Sequence, residues 1–233
     1  MKLLFVHGAC VVDGEWWWHR MVGPLARAGL ATAAVELPSC GPRDGDGPLG
    51  DLADDIEAVR VAAAGDEPVL LVSSSYGGMV ITGAAAGLGN VRHLVYLSSM
   101  PPDADQPVTA LADPAGPSWL EPEPGGTAVR LRADLTDEDF RAHFLADCDP
   151  AAVRGALDRI GRQSAAALTQ PPGAAAWREL PSTAVICTED RATPPDRQRL
   201  WAARAGRVLE LAAGHHPFLS RPDELARLIA GVI

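Results

Sequence analysis

Short apolar runs alternate with longer segments of helical periodicity along most of this chain. A parallel sheet covered by helices on both faces is the architecture that accommodates such an order. Apolar runs at residues 2–6, 31–36, 69–73, 91–97, 183–187 and 208–211 predict strands. Between them, residues 16–28, 49–64, 77–86, 195–205 and 222–229 predict helices, the last two opening on a proline whose missing N–H costs nothing in a first turn. The expected fold class is therefore α/β, a mostly parallel sheet of about six strands flanked by helices. A chain of 233 residues with 47% hydrophobic content is sized for one such core and small for two.

Residues 101–172 break the alternation. A proline- and glycine-rich stretch at 114–126 is followed by a polar helical pattern from 136 to 167, and Thr136-Asp137-Glu138-Asp139 resembles a helix start. Because this segment interrupts the chain between two sheet strands, it reads as a helical cap or lid inserted into a core made of residues 1–100 and 173–233.

Chemistry concentrates where the third apolar run ends. In Val72-Ser73-Ser74-Ser75-Tyr76-Gly77-Gly78 a buried strand meets a small-residue turn and then a helix, the setting in which a nucleophilic serine is presented. Ser75 is the expected nucleophile, since of the three serines only Ser75 has a glycine two residues later; Ser73 stands where the elbow ordinarily carries another glycine. A serine hydroxyl needs a histidine to take its proton and a buried carboxylate to fix that histidine's tautomer. Asp190 follows the run 183–187 and His215 follows the run 208–211, so both fall at strand ends, where open α/β sheets build their sites. His216 competes with His215, and Asp103 and Asp105 compete with Asp190; His215 and Asp190 are preferred. Ala9 and Tyr76 fit the two backbone positions that donate to an oxyanion, and Cys10, Ser74 and His216 are the expected substrate-binding residues. Trp16, Trp17 and Trp18 are expected to pack the first helix, and His7 to brace the loop that follows the first strand.

The chain order Ser75, Asp190, His215 is that of the α/β-hydrolases and differs from the orders of the chymotrypsin and subtilisin triads. Together with Phe5-Val6-His7-Gly8-Ala9-Cys10, Trp16-Trp17-Trp18, Ser75-Tyr76-Gly77-Gly78, Glu189-Asp190-Arg191 and Gly214-His215-His216-Pro217, it makes the chain resemble the small α/β-hydrolases related to plant methylesterases and hydroxynitrile lyases. That resemblance implies Ser75, Asp190 and His215 as triad, Ala9 and Tyr76 as oxyanion donors, and hydrolysis of a small carboxylic ester through an acyl-enzyme. Three alternatives share the fold: a tailoring enzyme such as a cyclase, thioesterase or deacylase, a hydroxynitrile lyase, and a ligand receptor. The lyases carry a lysine directly after the catalytic histidine, where this chain has His216.

Composition bounds the partners. A net charge of −10 and a pI near 5.0, with no run of Lys or Arg, point away from nucleic acid and from a basic membrane face. No apolar stretch approaches the ~20 residues that span a bilayer. Cys10, Cys40, Cys148 and Cys187 show no paired short spacing, so free thiols in a reducing cytoplasm are expected, with no metal and no organic cofactor. The expected partner is a small-molecule acyl substrate, and a homodimer is left open.

Overall fold

The computed structural model describes residues 1–112 and 119–232. Six strands form one wholly parallel sheet: β1 (Lys2–Val6), β2 (Ala31–Val35), β4 (Val69–Ser74), β5 (Val91–Leu97), β9 (Ser182–Cys187) and β10 (Arg207–Leu211), in the spatial order β10-β9-β5-β4-β1-β2. All six coincide with predicted runs to within one residue at either end. The chain passes from β1 to one neighbour, β2, and later returns to the other, β4. The sheet thus changes direction between β1 and β4, and this opens a crevice at their carboxyl ends.

The near-continuous apolar runs of the inner strands β1, β4 and β9 follow from burial on both faces, while the edge strands β2 and β10 are partly exposed. In β1, Leu3 and Phe5 pack into one cluster with Trp18, Met21 and Leu25 of α1 (Gly14–Arg27), while Leu4 and Val6 pack into another with Val59 of α2 (Leu52–Ala63) and Val80 of α3 (Gly77–Ala84). Successive side chains of a strand point to opposite faces, so one five-residue run seeds both cores. Trp18 stacks on Phe5 with ring centroids 4.3 Å apart and stays wholly in the first core.

The segment between β5 and β9 departs from expectation. It is not a helical run but a mixed layer of α4 (Val108–Leu111), β6 (Leu120–Pro122), β7 (Ala128–Leu131), α5 (Asp137–Phe144), α6 (Pro150–Leu157), β8 (Gly161–Ser164) and α7 (Ala165–Thr169). The helical pattern expected over 136–167 is cut twice. Asp149 caps a new helix with Pro150 in its first turn, accepting from the Ala151 and Ala152 N–H groups. Beyond it, Gly161 runs so close to Gly41 that a Cβ would lie 2.3 Å from the Gly41 carbonyl oxygen, which lets β8 pair antiparallel with β3 (Cys40–Pro42). The resulting sheet, β3-β8-β7-β6, therefore draws one strand from before residue 101. Part of the proline- and glycine-rich stretch, residues 113–118, lies outside the described residues. The chain closes with α8 (Pro195–Ala202), α9 (Pro217–Ser220) and α10 (Pro222–Ala230). Among the described residues no helix is long and apolar enough to cross a membrane.

Candidate active site

Ser75 follows β4 directly and has φ of 51°, a left-handed conformation that costs a non-glycine residue energy. The turn is held by its surroundings: the Ser75 N–H donates to the Leu97 carbonyl at 3.2 Å, and its carbonyl accepts from Gly78 N–H at 3.1 Å and from the Ser99 hydroxyl. Two residues on, a Cβ at Gly77 would sit 2.6 Å from the Val6 carbonyl oxygen and 2.7 Å from that of His7, so only glycine lets α3 start against the end of β1. At the other elbow position Ser73 is fully buried, and its hydroxyl donates to the Val95 carbonyl at 3.1 Å.

Asp190 and His215 come from the ends of β9 and β10. Asp190 Oδ1 accepts the N–H groups of Ala192 and Thr193, each at 2.9 Å, and Oδ2 accepts Gln198 Nε2 at 2.8 Å and His215 Nδ1 at 2.7 Å. With the carboxylate as acceptor, Nδ1 carries the proton and Nε2 presents its lone pair. Asp103 instead pairs with Arg178 and Arg204, away from the histidine. Gln198, on α8, also donates to the Thr193 carbonyl at 2.7 Å and accepts from Cys187 N–H at 2.9 Å. No sequence signal marks Gln198, because its role arises only where α8 crosses the end of β9.

Ser75 and His215 line one cavity of about 390 Å³ together with Gly8, Ala9 and Cys10. Among the described residues no hydrogen bond closes Ser75 Oγ onto the histidine, a contact that commonly tightens only around substrate. Among the same residues, neither the Ala9 nor the Tyr76 N–H has an intramolecular acceptor. His7 accepts from Leu37 N–H at Nε2, 3.3 Å, which leaves its Nδ1–H to donate to the Gly8 carbonyl at 2.9 Å; it braces the loop and burial lowers its pKa.

His216 also lines the cavity, its Nδ1 donating to the Phe144 carbonyl at 2.9 Å. Burial, reinforced by neighbouring His215, holds its pKa well below the ordinary histidine value, so it is a neutral wall. Cys10 lies in the lining, and burial pushes its thiol pKa far up, which removes the thiolate that a nucleophile needs. Ser74, expected to bind substrate, is buried at the strand end and is not among the described residues that line this cavity. Trp17 does more than pack its helix. Its ring faces the cavity, 5.0 Å from that of His216, and Trp119, Phe140, Phe144 and Phe218 complete an aromatic wall. No Asp, Glu, Lys or Arg lines it among the described residues.

The loop bearing His215 is gripped from the segment between β5 and β9. Phe144 sets its ring edge-on to His215 at 5.5 Å, and Asp147 Oδ2 accepts Gly214 N–H at 2.8 Å. A Cβ at Gly214 would lie 2.5 Å from Asp147 Oδ1, so glycine is what admits the carboxylate. Among the described residues no group of His, Cys, Asp and Glu is arranged to hold a metal ion.

Known proteins place this arrangement in context. An α/β-hydrolase called nvfD from Aspergillus novofumigatus is 28% identical over 90% of this chain and 88% of its own, and Methylesterase 1 of Arabidopsis thaliana is 24% identical over 96% and 92%. Among solved structures, a pyrethroid hydrolase from Sphingobium faniae superposes with a TM-score of 0.82 over 99% of this chain and 96% of its own, at 22% identity. Polyneuridine aldehyde esterase does so with a TM-score of 0.82 over 99% and 98%, at 20% identity, likenesses that establish the fold. The model of the alpha/beta hydrolase family matches residues 3–228, nearly the whole chain, and the protein belongs to that family.

Proposed function

We propose that the protein is a serine hydrolase that cleaves a small, uncharged carboxylic ester. The observation that carries this reading is the buried Asp190–His215 hydrogen bond at the rim of a cavity that also holds Ser75 on a left-handed turn. Ser75 Oγ attacks the ester carbonyl while His215 Nε2 takes its proton, and the carbonyl oxygen becomes an oxyanion facing the Ala9 and Tyr76 N–H groups. Collapse expels the alcohol, which leaves with the proton from His215. Water then adds to the acyl-enzyme by the same route and frees the acid.

The described lining favours one substrate class: among the described residues its walls are aromatic and aliphatic with no Asp, Glu, Lys or Arg, which suits an uncharged, largely apolar ester better than a carboxylate or a cation. Residues 101–172 would act as the cap that selects among such esters. A lyase of the hydroxynitrile type is the weaker reading, because His216 is neutral and offers no cation to leaving cyanide. The test pairs a fluorophosphonate probe with p-nitrophenyl esters of increasing acyl length. Labelling of Ser75 and a burst of nitrophenol are expected. Labelling on Ser73 or Ser74, or release of benzaldehyde from mandelonitrile with no ester turnover, would refute the assignment.

A further inference from the structure

A second buried carboxylate, Asp55 on α2, takes no part in the chemistry above, yet it joins both proposed oxyanion donors. It is fully buried, no Lys or Arg pairs with it among the described residues, and three donors satisfy it: Ser39 N–H at 2.8 Å, the Ser39 hydroxyl at 2.6 Å and the Tyr76 phenol at 2.6 Å. Tyr76 supplies one oxyanion N–H from its backbone, so this phenol anchors the residue whose main chain faces the substrate. From Ser39 the chain of bonds runs on: Gln163 Nε2 donates to the Ser39 hydroxyl at 3.0 Å, and Gln163 Oε1 accepts Cys10 N–H at 3.3 Å. Cys10 directly follows Ala9, the other donor, and has φ of 56°, a left-handed conformation that persists only where its neighbours hold it. Its carbonyl is held as well, by Gly161 N–H at 2.7 Å. Both groups that hold Cys10 come from β8.

We propose that Asp55, Ser39 and Gln163 form a positioning relay that keeps the Ala9 and Tyr76 N–H groups in register, so that β8 takes part in stabilising the transition state. The relay rests on the serine hydrolase reading. None of its three members touches substrate; each acts through the backbone it fixes. A buried polar chain of this kind is costly when half satisfied, which gives it a single low-energy geometry. That rigidity suits an oxyanion hole, where donors must already be in place when charge develops.

The test uses Tyr76→Phe and Gln163→Met, which break the relay at opposite ends, with Ser39→Ala as the fallback should Gln163→Met fail to fold. Three affinities or rates are compared for each: acylation by a p-nitrophenyl ester, inhibition by a trifluoromethyl ketone, and binding of an unreactive ether analogue. Ser75 adds to the ketone carbonyl, passes its proton to His215 and leaves an oxyanion in the hole, whereas the ether makes none. Each variant is expected to slow acylation and weaken the ketone in parallel, by about tenfold, with ether binding unchanged. The double variant should lose less than the product of the two single losses, because the second cut falls on a chain already broken.

A folded variant in which acylation falls but ketone affinity does not, or in which ketone and ether weaken equally, would overturn the relay while leaving the hydrolase reading in place. A wild-type protein that is neither labelled by the fluorophosphonate nor active on any ester would overturn the hydrolase reading and the relay with it.

Discussion

At the scale of single residues, the site depends on side chains that act as a unit. Ser75→Ala and His215→Ala are each expected to reduce kcat by about 10⁴-fold or more, with the double variant little worse, as single-turnover kinetics would reveal. Asp190→Asn should be severe too, since an amide offers His215 the wrong partner. Gln198→Met should be milder, about tenfold, because Ala192, Thr193 and His215 still hold the carboxylate. A Gln198→Met enzyme as impaired as Asp190→Asn would make Gln198 an equal member of the triad's support. Ser73 illustrates a limit of motif reading: the motif asks for glycine there, but the serine hydroxyl has found the Val95 carbonyl and serves the strand pairing.

At the scale of elements, the proposed catalytic residues hang from strand ends and are held by segments remote in sequence. The grip of Asp147 on Gly214 is the clearest case, because one hydrogen bond fixes the residue before His215. Asp147→Ala is expected to lower kcat about tenfold, by freeing the loop, whereas Asp147→Asn retains an acceptor oxygen and should keep most of the activity. Equal loss in the two variants, measured beside melting curves, would show that charge rather than the hydrogen bond matters. The strands themselves were plain in the sequence, since burial on both faces leaves unbroken apolar runs such as Leu70-Leu71-Val72. The four-stranded antiparallel sheet was not. Its strands are three or four residues long, and β8 reads Gly-Arg-Gln-Ser, which carries no apolar alternation.

At the scale of the whole molecule, the cavity and the pH response depend on what is sealed inside. An ester bearing a free carboxylate should be turned over about a hundredfold less well than its neutral analogue, because among the described residues the wall supplies no Lys or Arg to offset desolvation; comparable kcat/KM values would refute that account. His7, His93 and His216 are all shifted down, chiefly by burial. For a histidine whose folded pKa is depressed, the unfolded chain takes up protons first as pH falls through ~6.5, so stability is full above that pH and declines below it. Asp55, shifted up by burial, acts with the opposite sign, losing stability as pH rises above the ordinary carboxylate value of ~3.9. With three groups against one near neutrality, the urea midpoint should be lower at about pH 5.5 than at about pH 7.5. A flat profile would mean that the histidines accept protons in the folded state.

What the sequence determined by itself was the doubly covered parallel sheet, the placement of Ser75, Asp190 and His215 at strand ends, and the need for glycine at position 77, because periodicity and local backbone geometry are written in adjacent residues. Tertiary structure alone decided that Trp17 lines the cavity, that Gln198 and Asp147 hold Asp190 and Gly214, and that Asp55 reaches Tyr76. Those hydrogen bonds join positions 8, 67 and 21 residues apart, Gln198 with Asp190, Asp147 with Gly214 and Asp55 with Tyr76. A hydrogen bond between distant side chains has no periodicity to read, since it exists only once packing has brought its two partners together.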